Sequence, residues 1–340
     1  MLGRKMGMAR FVIRRLLIIP PLLIVLSFFL FLCIHLAPGD PARMLAGPYA
    51  NENQLELVRK AYGLDKPIYV QYLRWLIGWP GPDPQYMENI PEDYREFYRS
   101  YIPNGILRGD LGRSWKHESI AQSIKERLPV TLELTVLALL IAIGMGLLLG
   151  IVAALKRGTI VDYLSTTGAL FGLSMPSFWL GMMMILVFSY HLGWTPIMYD
   201  GSFISILMPA IALGAFHTAS VARMTRSSML EVMGEDYIRT ARVKGLSERV
   251  VVLKHGLKNA LIPIITILVL QIPWLFGGAV VLEKVFSIPG MGRLMLDSIF
   301  PHTDPFVVMD VFLVLVVLTV FANLLADVLY AYVNPKIRYE

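Results

Sequence analysis

Six long apolar runs constrain this chain more than any other feature. A helix needs about 20 mostly apolar residues to cross a bilayer. Runs of that order lie at about 16–36, 132–155, 170–192, 204–222, 260–281 and 306–333. Composition agrees: charged residues are 16% of the 340, against roughly 25% in an ordinary soluble domain. A compact water-soluble chain has too little polar surface to cover that much apolar matter, and a disordered chain needs the opposite balance. The expected fold is an all-α integral membrane protein with six transmembrane helices.

Two of the runs need closer reading. The first, Leu16–Leu36, follows Arg4, Lys5, Arg10, Arg14 and Arg15, the basic start a signal peptide also has. A signal core is typically only about 7–15 residues and ends at small residues. Here the run is longer and ends in Ala37-Pro38-Gly39-Asp40-Pro41, so it reads as an anchored span. The third run extends back to Leu164, too long for one upright helix and too short for two. Pro176 breaks it, separating an interfacial stretch from the true span.

Charge sets the expected topology, because short loops rich in Lys and Arg stay in the cytoplasm. The five N-terminal cations are joined by Lys156 and Arg157 after the second run. The segment 223–259 adds Arg223, Arg226, Arg239, Arg242, Lys244, Arg249, Lys254 and Lys258, and the tail 334–340 adds Lys336 and Arg338. The intervening loop 193–203 has no cation, and 282–305 has only Lys284 and Arg293. Both termini are therefore expected in the cytoplasm of a multi-pass protein. Region 37–130 is the exception, a large loop whose twelve cations and twelve anions cancel. Long loops translocate largely regardless of charge, so it is expected outside. Residues 54–62 and 68–77 within it read as helices, and 79–104 as an irregular excursion. The expected division is 1–36, 37–130, 131–333 and 334–340. The net charge of +6 then reports topology rather than a nucleic-acid partner.

Enzyme chemistry is hard to assemble from these residues. The histidines (His35, His117, His191, His217, His255 and His302) form no i,i+4 pair, and the single cysteine, Cys33, excludes a thiolate-rich metal site. No metal centre and no catalytic residue is expected. None of the 27 glycines precedes a lysine, so a P-loop is impossible. This chain is therefore not expected to bind and hydrolyse ATP by that route, and its residues point to no cofactor of its own.

Segment 223–259 is the most informative. Glycines at 234, 245 and 256 punctuate it, Leu246 supplies an apolar contact, and Ser247 is placed to cap a helix over 248–255. That helix would carry Val250, Val251, Val252 and Leu253, more apolar surface than a solvated loop needs. A docking element for a partner protein is the expectation.

Here a family resemblance appears. Ile238-Arg239-Thr240-Ala241-Arg242-Val243-Lys244-Gly245-Leu246, with Lys254-His255-Gly256-Leu257-Lys258-Asn259-Ala260, resembles the coupling loop of type I ABC importer permeases. The likeness is to the first permease subunit of the dipeptide/oligopeptide/nickel family. Gly109–Ser114, Arg127–Leu134, Ser174–Gly181, Val285–Arg293 and Asn334–Arg338 resemble further segments of that family in the same order. Lys258 stands where the broad importer motif has proline, the variant typical of peptide-type permeases, and 79–104 looks like an insertion.

The resemblance implies a prokaryotic inner-membrane permease that pairs with a second homologous permease subunit, two P-loop ATPase subunits and an extracytoplasmic solute-binding protein. It also implies a coupling role for Arg239, Thr240, Ala241, Gly245, Leu246, Ser247, Leu257 and Lys258. Cargo would be di- or oligopeptides, with nickel, glutathione or an oligosaccharide as alternatives; an ion-coupled secondary transporter is the rival of another class. Polar residues at membrane depth are the candidates for the translocation path: His217, Gln271, Asp310 and Asn323. His217 and Gln271 either contact solute or bridge helices, and Asp310 either lines the path or reaches the interface.

Overall fold

The computed structural model describes residues 2–36, 40, 42–43, 51–78, 88, 105–114, 118–300 and 304–333. The tail 334–340, the turn at Pro38-Gly39 and nearly all of 79–104 lie outside them. Among the described residues the chain is helical, with two isolated β-bridges. In order the helices are α1 (Leu2–His35), α2 (Glu52–Tyr62), α3 (Ile68–Ile77), α4 (Ile120–Leu155), α5 (Ile160–Ser174) and α6 (Ser177–His191). Then come α7 (Phe203–Met233), α8 (Asp236–Val243), α9 (Glu248–Val285), α10 (Met291–Asp297) and α11 (Pro305–Val333). Five of these are long and apolar enough to cross a membrane, and α5 with α6 makes a sixth if the bent pair is one span.

Helix boundaries differ from the apolar runs for a physical reason. Hydropathy marks the thickness of hydrocarbon, whereas backbone hydrogen bonding continues wherever propensity allows. So α4 begins at Ile120, ahead of the run at 132, and α7 continues to Met233, past the run's end at 222. Helix α9 has 38 residues, which at 1.5 Å per residue is about 57 Å, nearly twice the hydrocarbon thickness. The expected helix over 248–255 is therefore the first part of α9, passing through a π-helical turn at Val251–Leu257. Pro176 acts as expected. It has no N–H to give and drives Met175 into extended conformation (φ −93°, ψ 129°), and α5 and α6 meet at 106°.

Contacts divide the chain into two compact units. The first comprises Met1–Leu17, Thr131–Ile288 and Leu318–Glu340. Its central element is α7, 61% of whose apolar window is buried, against 28% in the corresponding windows of α4 and α9. Glycine allows the close packing. A Cβ on Gly146 would lie 2.7 Å from Val221, one on Gly150 2.6 Å from the Ala222 carbonyl oxygen, and one on Gly214 2.8 Å from that of Ala138. Gly144, in contrast, faces open space. A core of Ala154, Val221, Met229, Val252, Ala260 and Ile264 joins α4, α7 and α9.

The second unit comprises Ile18–Val130 and Pro289–Val317. Both helices expected in the long loop are present. Asn51 and Gln54 close a capping box on α2, and Gly63 ends it in left-handed conformation. Tyr72 and Trp75 of α3 pack with Phe31 of α1 and with Met309 and Leu313 of α11. Tyr72 donates to the Ile24 carbonyl at 3.1 Å, and Trp75 Nε1 donates to Asp310 Oδ1 at 3.2 Å.

Candidate coupling surface and translocation path

The candidate coupling segment is built on short-range contacts. Helix α7 ends at Gly234, and α8 opens with Asp236, whose charge suits a helix N-terminus. Ile238 and Ala241, three apart and so on one face, are buried against Val251 of α9 and Met233 of α7. Gly245 follows with φ +76°, left-handed backbone that a Cβ makes costly, and its N–H bonds the Arg242 carbonyl at 2.9 Å. The chain then enters α9. Arg242 Nε donates to Glu248 Oε1 at 2.8 Å across that turn, and Asn259 Nδ2 donates to the Tyr237 hydroxyl at 2.8 Å. Gly256 lies where a Cβ would stand 3.1 Å from Met233 Sδ, so its lack of a side chain brings α9 close to the end of α7.

Of the residues expected to couple, Arg239, Thr240, Gly245, Leu246, Ser247 and Lys258 are exposed, Leu257 is half-buried and Ala241 is buried. Two expectations are corrected. Val250–Leu253 do not form one exposed apolar run, because Val251 and Val252 turn inward while Val250 and Leu253 face out. Helical periodicity cannot expose four consecutive residues on a helix that packs on one side. Ser247 occupies the N-cap position, but its hydroxyl makes no capping bond; its carbonyl accepts from the Val251 N–H at 3.0 Å. Sequence reasoning missed Val243, which is 87% exposed. A hydrophobic residue beside Lys244-Gly245, at the end of a helix whose inward positions are already filled, was the available signal.

Two path candidates meet. His217 of α7 and Gln271 of α9, both buried, approach at 3.1 Å (Nδ1 to Oε1), so they bridge helices in this conformation. Asp310 is buried and tied to Trp75. Asn323 is half-buried on α11, and one turn further on Asp327 pairs with Arg15 at 3.0 Å. Glu283 and Asp162 are among the buried acids that escaped the sequence reading. Glu283 accepts from Thr131 Oγ1 at 2.6 Å, and Asp162 takes Nε and Nη2 of Arg226 at 2.6 and 2.8 Å. Each lies just outside an apolar run, where a charge looks solvated until the helix proves longer than the run. Among the described residues no group of three His, Cys, Asp or Glu is placed to hold a metal ion.

The chain resembles known transport proteins along nearly its whole length. Residues 146–339 match the binding-protein-dependent transport system inner membrane component, and 8–81 match the N-terminal region of such membrane components. The glutathione transport system permease protein GsiC of Escherichia coli K12 is 42% identical over 334 residues, 98% of this chain and all of the relative. GsiC of Shigella dysenteriae serotype 1 gives the same figures. In fold, the inward-facing MetNI methionine ABC transporter superposes with a TM-score of 0.53 at 21% identity, over 62% of this chain and 96% of that one. These likenesses remove the ion-coupled transporter as a reading. The chain belongs to the binding-protein-dependent transport system inner membrane component family, as a multi-pass inner-membrane permease subunit of a bacterial ABC importer of the peptide type.

Proposed function

We propose that this chain carries short peptides, glutathione first among them, and that partner ATPase subunits drive it through residues 239–258. The supporting observation for coupling is the build of that segment. Its exposed apolar residues Val243, Leu246, Val250 and Leu253 sit on a platform held by Ile238, Ala241 and Val251, and the Val250–Leu253 part of that platform is the start of α9 itself. A push on the platform therefore reaches Gln271 along one helix. There the His217–Gln271 contact passes it to α7. ATP-driven closure of the ATPases would move the platform and open the cavity outward, and hydrolysis would reset it.

This reading places both termini, the 223–259 segment and the 334–340 tail in the cytoplasm, and 37–130 outside. The partners are a second homologous permease, two P-loop ATPases that bind ATP and Mg, and an external binding protein that selects the solute. This chain contributes no catalysis. Within the path, Gln271 and His217 offer amide and imidazole groups suited to a polar peptide backbone, and Asn323 a further amide.

Glutathione is favoured because it is the solute in the names of relatives 42% identical over their full length. The test is uptake of labelled glutathione, dipeptides, an oligosaccharide and nickel by cells with and without this gene. Loss of glutathione or dipeptide uptake alone is expected; loss confined to nickel or sugar would overturn the cargo assignment.

A further inference from the structure

We infer that the groove between α4, α5 and α7 is a binding site for an anionic phospholipid of the leaflet that α5 faces. This rests on the reading of the chain as a membrane permease, and it assigns a ligand to residues other than the path candidates His217, Gln271, Asp310 and Asn323. The groove lies wholly within the first unit and has a cavity volume of about 210 Å³. Its wall is aliphatic, from Leu149 and Ala153 on α4 to Ala169 and Leu173 on α5. Its rim is polar, with Thr166 of α5 and Arg223 and Ser227 of α7.

Helix α5 shows what surrounds the groove, because its polarity is inside out. Asp162 is buried, while Ile160, Leu164 and Phe171 are 76%, 68% and 58% exposed. A helix that hides its charge and presents its apolar side chains is solvated by hydrocarbon rather than water. Lipid is thus the medium beside this cavity.

Charge then selects the lipid. Arg226 is satisfied internally, since Asp162 takes its Nε and Nη2. Arg223, one turn earlier on α7, is exposed and makes no ion pair among the described residues. Lys156 and Arg157 stand exposed at the end of α4. A phosphodiester at the rim would take the Arg223 guanidinium in bidentate fashion and the Ser227 hydroxyl as a further donor, with an acyl chain along the aliphatic wall; the Thr166 hydroxyl already donates to Asp162 Oδ1 at 3.5 Å. A zwitterionic headgroup brings its own cation against Arg223 and loses that advantage.

The assembled transporter in nanodiscs of phosphatidylcholine doped with phosphatidylglycerol, analysed by native mass spectrometry, tests this directly. Phosphatidylglycerol should be retained on this subunit over phosphatidylcholine. Arg223→Gln should lower that preference about fivefold, the weight of one interfacial cation, and Lys125→Gln should leave it unchanged. Ala169→Trp, which fills the groove, should remove the bound lipid whatever its headgroup. Equal retention of the two lipids, or an unchanged preference in Arg223→Gln, overturns the inference. So does a structure of the assembly with a partner subunit seated in the groove. Nanodiscs offer the lipid on both faces, so an error in membrane orientation would not imitate failure; cysteine labelling at Ser227 reports orientation separately.

Discussion

Truncating Val243 should weaken association with the ATPase subunits more than truncating the larger Leu246. Val243 is 87% exposed and Leu246 39%, so docking has more of Val243 left to bury. Val243→Ala removes two carbons at about 0.8 kcal/mol each; scaled by the 87% exposure, the loss is about 1.4 kcal/mol, or about tenfold in Kd. Leu246→Ala removes three carbons, but at 39% exposure the loss is about 0.9 kcal/mol, near fivefold. Leu253→Ala, at 56%, falls between them at about 1.3 kcal/mol. Ile238→Ala is the contrast: the side chain is fully buried, and its loss should unseat α8 at a cost of about 2–5 kcal/mol without removing any docking contact. The assay titrates the cognate ATPase pair onto detergent-solubilised permease pairs, reading affinity and stimulated ATP hydrolysis together. Limited proteolysis near residue 240 separates a loosened α8 from a lost contact. Unchanged affinity for Val243→Ala in a protein that resists proteolysis like wild type would refute the docking geometry. An order with Leu246 first would refute the exposure argument.

Other substitutions read separate links of the account. Gly245→Ala should cost about 1 kcal/mol locally, because φ is +76° there, while Gly245→Pro should uncouple ATP hydrolysis from uptake with membrane insertion intact, as paired transport and hydrolysis assays would show. Gly150→Leu should destabilise by at least about 1–3 kcal/mol in a thermal unfolding assay, given the Ala222 carbonyl oxygen 2.6 Å from its Cβ position, whereas Gly144→Ala should be nearly neutral. Asp162→Asn should lower the melting temperature by leaving Arg226 half-satisfied, and Asp162→Glu should recover part of it. Burial pushes the Asp40 carboxyl up, but the Arg59 side chain and the Ala42 N–H outweigh it and hold it below its ordinary value. That link is therefore fully present above about pH 4 and lost as pH falls further. Protease resistance near residue 59 should fall in acid and be flat between about pH 5 and 8, and Arg59→Gln should remove the acid step.

Much of the membrane architecture was legible because hydrocarbon thickness acts on composition directly. Runs of about 20 apolar residues and a proline in the longest give spans and break without any tertiary information. Apolar spacing over 54–62 likewise marked α2, though not its start at Glu52 behind the Asn51–Gln54 capping box. Inward-facing detail was not legible, because it depends on which residues a neighbouring helix covers. Val251 and Val252 look like their exposed neighbours until α8 lies against them. Asp310 looks like a path residue until Trp75, 235 positions earlier, is seen to donate to it. The Asp162–Arg226 pair, 64 residues apart, needs the break at Pro176 before the two groups can meet. In the proposed coupling segment the sequence pattern singled out a stretch of chain but not which of its apolar residues are exposed, Val243 most of all.

The central claim is that the platform around Gly245 is where ATPase subunits hold this permease. With Cys33 replaced, a single cysteine at Val243 in the assembled transporter, treated with a short bifunctional thiol reagent, tests it most directly. The account predicts a covalent adduct with an ATPase subunit, whose formation changes on adding ATP, and no adduct from a cysteine at the buried Val251. An adduct with the external binding protein, or labelling of Val243→Cys by an impermeant reagent applied to intact cells, would contradict it.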